Sequence, residues 1–165
     1  MVEPWLRDTL KEHGAVTRQV LHALQLAEED IERWCADLSD LEMNARPSGV
    51  APVAFHLRHI ARSLDRLLTY TEGRPLNERQ MAILKNELGE GALASEVLRE
   101  VRAGLRQAMQ RVAEVAAERF EEPRGVGRAA LPSTVGGLLV HCAEHTQRHV
   151  GQTITTAQIV RSLRS

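Results

Sequence analysis

The chain has 165 residues, a formal net charge of −1 and only 3% aromatic residues. The near balance of 21 basic and 22 acidic residues argues against a nucleic-acid-binding surface, and two cysteines are too few for a disulfide framework. No apolar run approaches the roughly 18 residues of a membrane span. We therefore expect a cytoplasmic protein that binds neither nucleic acid nor membrane, with a single domain over residues 1–165.

Four long stretches carry apolar residues at helical spacing, and none has the alternation of a strand. The predicted long helices run over about 16–40, 52–71, 95–120 and 134–163. Ser95 is the expected N-cap of the third, and Ser133 or Thr134 that of the fourth. A short helix is predicted from Asn77, capped with Gln80, to about Leu88 before Gly89.

Four amphipathic helices of similar length pack best as a bundle, so the expected fold class is all-α. The segment between the second and third long helices, about residues 73–94, is too long for a tight hairpin. We expect it to be a long crossover connection. The glycine- and proline-rich segment from Pro123 to Pro132 is predicted to be a loop.

The fourth helix carries three histidines at four-residue steps, His141, His145 and His149. Helical geometry places such neighbours on one face, and two imidazoles at this spacing can bind one metal ion. The apolar stripe of the helix passes nearest to His149 and then His145, which favours this pair over one containing His141. The second helix supplies His56 and His59, and its own stripe lies closer to His56. Spacing alone leaves His56, His59 and His141 open as further ligands.

The segments AFHLRHIARSLDRLL and LLVHCAEHTQRHVGQ together resemble the DinB-like superfamily of four-helix metalloproteins. The family pattern has two elements. Helix two carries a histidine followed by a small-apolar pair, and helix four carries His-x-x-x-His followed by Gly-Gln. His59-Ile60-Ala61 matches the first element, and His145 and His149 with Gly151-Gln152 match the second. Val150 stands where the family often has arginine.

This resemblance implies that His59, His145 and His149 bind one divalent metal ion, which varies among Zn, Ni, Fe and Mn in the family. It selects His59 over His56, against the apolar stripe. It also implies a homodimer and a small-molecule substrate. The expected function is a metal-dependent transferase that activates a low-molecular-weight thiol. The alternative is a non-catalytic metal-binding or stress-related interaction protein.

Other side chains carry weaker hypotheses. Arg58, Arg62 and Arg66 form either a solvated face or a rim that attracts an anionic substrate. Gln152 follows the His149 face and is either a group that orients a ligand or a surface amide. Tyr70 is either a substrate hydrogen-bond donor or a residue that caps the core, Glu144 is a weak general-base candidate, and Cys142 is expected to be a packed side chain.

Overall fold

The computed structural model describes residues 2–86 and 91–164 and is mostly helical. Its helices are α1 Ala15–Cys35, α2 Asp40–Asn44, α3 Val53–Thr71, α4 Glu78–Lys85, α5 Ala94–Ala113 and α6 Val135–Ser162. A hairpin of two antiparallel strands, β1 Pro123–Val126 and β2 Leu131–Thr134, joins α5 to α6. Three short 3-10 turns span Pro4–Leu6, Pro47–Gly49 and Ala117–Arg119. Of the helices in the described ranges, none combines the length and the apolar character that crossing a bilayer requires.

The four long helices α1, α3, α5 and α6 form the predicted bundle around one core. Helix α6 packs against α1 and α3, and α5 packs against the same two helices. Aliphatic side chains dominate the interior, as the low aromatic content requires. Fully buried examples are Leu24, Ile31, Leu57, Ile60, Leu64, Leu68, Leu105 and Leu139.

Helices α3 and α5 run parallel to each other. Glu100 pairs with Arg62, and further along both helices Arg111 pairs with Asp65. The chain must therefore return along the length of the bundle between them, which confirms the predicted crossover. Helix α4 lies within this connection and begins with the predicted capping box between Asn77 and Gln80. The predicted end of this helix near Leu88, and the break at Gly89, lie outside the described residues.

Two predicted helix ends were wrong. The first helix ends at Cys35 rather than near Asp40, because Ser39 and Glu42 form a capping box that begins the separate helix α2. The third long helix ends at Ala113 rather than near Phe120. Beyond it, the chain turns so that the carbonyl oxygen of Phe120 accepts a hydrogen bond from the amide of Gly136, at the start of α6.

The hairpin was assigned to a loop from the sequence, and that prediction was also wrong. Its strands are only four residues each and lack the alternating β-branched pattern by which strands are recognised. Gly127, with φ of +70°, provides the left-handed residue of the turn. Ala130, with φ of +48°, is a second residue with positive φ there.

Candidate metal centre

Helices α3 and α6 run antiparallel and bring their histidines face to face. His59 Nε2 lies 2.9 Å from His145 Nε2, and His56 Nδ1 lies 3.0 Å from His149 Nδ1. The ring centroid of His149 lies 4.4 Å from that of His59 and 4.6 Å from that of His145. The side chains of α3 and α6 thus form one compact group of imidazoles.

Three members of this group can reach a common ion. One ring nitrogen from each of His59, His145 and His149 lies within 4.8 Å of the others. Two imidazole ligands of a tetrahedral zinc ion, each bound at about 2.0–2.1 Å, are about 3.3 Å apart, so the 2.9 Å spacing of His59 and His145 needs little adjustment. An all-imidazole donor set suits Zn, Ni and Fe. The residues present therefore fit a divalent transition metal, whose identity the donor set leaves open.

Burial favours the neutral form of several of these imidazoles. Burial, followed by the charge of His59, lowers the pKa of His145 to about 4 and that of His149 to about 4. Burial also lowers the pKa of His56. His145 and His149 are therefore neutral near pH 7, and a neutral imidazole offers the lone pair that a metal requires.

The other two candidate histidines occupy different places. His56 is only 6% exposed and contacts His149 but stands outside the group of three. His141 lies further along α6, where its Nδ1 is 2.6 Å from a carboxylate oxygen of Glu144. The apolar stripe correctly identified His56 as the more buried histidine of α3, whereas the family pattern identified His59, which belongs to the group of three.

Phe55 is a neighbour of the site that sequence reasoning missed. Its ring stacks on His59 with centroids 5.5 Å apart and an angle of 21° between the planes, and it makes a T-shaped contact with His56 with centroids 5.3 Å apart. The signal was present in the sequence, because Phe55 precedes His59 by four residues and such pairs share a helix face. Phe55 restrains both α3 histidines from one side.

The proposed supporting residues are less well placed for chemistry. Hydrogen bonding to His141 lowers the pKa of Glu144, which makes it a weaker base. Tyr70 lines a different cavity of about 590 Å³, beside the hairpin. Cys142 is fully buried, in agreement with its interpretation as a packed side chain.

The arginine row of α3 is not a solvated face. Arg58 and Arg62 share Glu100 of α5, at 3.3 and 2.7 Å, and Arg66 is only 9% exposed. The solvated-face interpretation failed because α5 packs alongside this row and supplies the matching carboxylate. Arg58 and Arg62 are consequently engaged within the bundle.

A cavity of about 620 Å³ adjoins the histidines between α6 and the start of α3. Val50, Ala51 and Ile159 supply apolar walls, while His56 and Arg148 supply polar ones. Gln152 also borders this cavity and is exposed. The space is large enough for a small organic molecule, and it adjoins the group of three through His56, which contacts His149.

Comparison with known proteins agrees with this architecture. A family model described as the DinB superfamily matches residues 23–153, a range that includes all five histidines of the α3 and α6 faces. The crystal structure of a conserved protein from Enterococcus faecalis is similar, with a TM-score of 0.73 and 19% sequence identity, over 91% of this chain and 99% of that one. At this identity the likeness shows the fold. A search of curated proteins gives no significant match.

Proposed function

Because this chain belongs to the DinB superfamily, we propose that His59, His145 and His149 bind one divalent metal ion and that the metal-loaded protein transfers a low-molecular-weight thiol to an electrophile. The observation that carries the proposal is the convergence of three imidazoles from two helices within 4.8 Å. Three protein ligands leave a coordination position open, as in catalytic rather than structural zinc sites.

The chemistry follows from this neutral donor set. If His59, His145 and His149 held a divalent ion, that ion would keep its full charge and would lower the pKa of a bound thiol, as such ions do for water. Thiol transfer would form a bond from the sulfur to an electrophilic carbon, whose leaving group would depart with the bonding electrons, while the thiol proton would pass to solvent. His56 and Arg148 border the adjoining cavity, where the apolar walls would exclude water from a small substrate.

Elemental analysis of untagged protein tests the metal site first. We expect about one equivalent of a transition metal in the wild type and a large loss in His59→Ala and in His145→Ala. His141→Ala is the matched control, since it removes a histidine of the same α6 row that lies outside the cluster. Absence of metal after reloading with Zn, Ni, Mn and Fe would contradict the proposal.

The transferase activity has its own test. Metal-loaded protein is incubated with cysteine, glutathione or coenzyme A and with 1-chloro-2,4-dinitrobenzene, and thioether formation is followed by absorbance. We expect at least one thiol to react faster with wild type than with His149→Ala. Equal rates in both proteins for every thiol would exclude thiol transfer to this electrophile.

A non-catalytic role is the second candidate, and the position of Glu144 favours it. This carboxylate contacts His141, and that hydrogen bond lowers its pKa, so Glu144 is a weaker base than a free glutamate. In that case, the metal would serve to fasten α3 to α6. Chelation would then lower the melting temperature of a protein that shows no thiol transfer with any metal.

A further inference from the structure

His56 lies next to the proposed metal-binding group and contacts one of its members, His149. Its Nδ1 lies 3.0 Å from Nδ1 of His149, and its side chain is only 6% exposed. In the described part of the chain, its ring contacts that of His149, with centroids 5.3 Å apart, and makes no such contact with His145. His56 therefore touches a single member of the pair on α6.

The contact between two ring nitrogens constrains both rings. At hydrogen-bond distance, one nitrogen must carry a hydrogen and the other must present a lone pair. If His149 is the donor through Nδ1, its lone pair is on Nε2. Metal-bound histidines almost always donate their second ring N–H to a partner in this way, which fixes both the tautomer and the ring orientation.

We propose that His56 is a positioning residue that accepts the Nδ1–H of His149 and so presents His149 Nε2 to the metal. The inference rests on the proposed metal-binding function and extends it to a fourth histidine. His56 can hold this position because Phe55 makes a T-shaped contact with its ring and burial limits its movement. The usual partner in such a pair is a carboxylate, a backbone carbonyl or a water, and here an imidazole takes its place.

The arrangement of the helices explains the division of roles between the two α3 histidines. In the antiparallel pair, His59 stands opposite His145 and His56 stands opposite His149, and in each of these pairs two ring nitrogens lie at hydrogen-bond distance. The ring centroid of His59 also lies 4.4 Å from that of His149, so His59 contacts both of the proposed α6 ligands. His56 contacts His149 but lies outside the group of three.

Substitutions at residue 56 separate positioning from ligation. Asparagine places a carbonyl oxygen near the position of histidine Nδ1, whereas leucine keeps the bulk without any acceptor. We expect His56→Asn to bind one equivalent of Zn with nearly the wild-type Kd. We expect His56→Leu to bind one equivalent with a Kd about 10–100-fold higher. Affinity is measured by competition with a chromogenic chelator.

The control is His22→Leu, which removes another buried histidine with one side-chain partner, Thr9, outside the cluster. Its Zn affinity should equal that of the wild type. If His56→Leu does not fold, His56→Gln replaces it, because glutamine carries its carbonyl one bond further out and loses the acceptor position. The visible spectrum of the Co-substituted protein then reports the number of nitrogen ligands.

The results discriminate between the alternatives. Wild-type affinity in both His56→Leu and His56→Gln would overturn the positioning role. Loss of a nitrogen ligand from the Co spectrum in His56→Asn, as in His149→Ala, would overturn it by making His56 itself a ligand. Failure of the wild type to bind any metal would instead overturn the proposed function on which the inference rests.

Discussion

At the scale of single residues, Gly104 shows how closely α3 and α5 approach each other. A Cβ atom at this position would lie 2.7 Å from Cβ of Ala61 and 3.0 Å from its Cα. In an open helix, Gly→Ala is favourable by about 1 kcal/mol. Here, relief of the clash requires a backbone shift, and overpacking costs about 1–3 kcal/mol. We expect Gly104→Ala to lower the free energy of unfolding in urea denaturation.

Gly151 provides the matched control for that substitution. It lies in α6, and a Cβ there would have nothing within 4 Å. We expect Gly151→Ala to raise stability by up to about 1 kcal/mol, since only the helix propensity changes. If Gly104→Ala stabilised the protein as much as Gly151→Ala does, the close packing of α3 on α5 would be contradicted.

The cluster histidines give the metal-free protein a defined response to pH. His145 and His149 have pKa values of about 4 in the folded protein, against an ordinary value of 6.5. The unfolded chain therefore takes up protons near pH 6.5 that the folded chain does not take up until about pH 4. The free energy of unfolding should decrease as pH falls through this interval, because protonation favours the unfolded state.

Denaturant titrations between pH 7 and pH 4 measure this effect. The double variant His145→Gln/His149→Gln should show a weaker dependence on pH over the same interval. Carboxylates that titrate in both proteins cancel in the comparison. Parallel pH profiles for the two proteins would show that the histidines are not held neutral in the fold.

At the scale of elements, the start of α5 is capped by another helix. The amide of Ala94 donates to the side chain of Asp40, on α2, at 2.7 Å. Leu93, the N-cap residue itself, offers no side-chain hydrogen bond. We expect Asp40→Ala to cost about 1 kcal/mol, as the loss of an N-cap acceptor does.

Thermal unfolding of the variants tests this capping across elements. Ser95→Ala is the control, because sequence reasoning made Ser95 the cap of this helix, whereas the structure places it inside α5. It should change stability by less than about 0.5 kcal/mol, as exposed substitutions usually do. A larger loss in Ser95→Ala than in Asp40→Ala would reverse the assignment.

Particular elements show what the sequence could predict. Helices α3 and α6 were recognised nearly to their ends, because Pro52 and Thr134 mark their starts and apolar residues recur along them. The cap from Asp40 could not be predicted, since it depends on α2 lying beside α5. The hairpin lacked any signal of period two, and its pairing comes from the turn at Gly127.

The candidate site was predictable in part, because spacing along one helix determines which of its residues share a face. Four-residue spacing places His145 and His149 together on one helix whatever the rest of the fold does. Choosing His59 over His56 needed the family pattern, because burial of the α3 face favours His56. The contact between His56 and His149 could not be predicted, because it depends on the antiparallel register of α3 and α6 in the tertiary structure.

At the scale of the whole molecule, a bound metal would link α3 to α6, which pack against each other and contact each other through their histidines. A ligand present at 100 times its Kd stabilises the folded state by about 2.7 kcal/mol when only that state binds it. We expect Zn to raise the melting temperature of the wild type and of His22→Leu. The increase should be largely lost in His59→Ala, measured by calorimetry.

The expected homodimer is a prediction for the whole molecule that sedimentation can check. Val140 and Ile159 on α6 are apolar and 50% and 41% exposed, which leaves surface available for a partner. We expect a species of twice the 18.4 kDa chain mass at micromolar concentration. A species of single-chain mass across the whole concentration range would contradict the dimer.

Both cysteines lie in the bundle interior, which makes them internal reporters. Cys35 and Cys142 are fully buried, and burial raises the pKa of each to about 12. Since alkylating reagents react with thiolates, the native protein contributes almost no nucleophilic sulfur of its own near pH 7. Nearly all thioether formed in a transferase assay should therefore take its sulfur from the added thiol, and slow alkylation of Cys35 and Cys142 records how often the bundle opens.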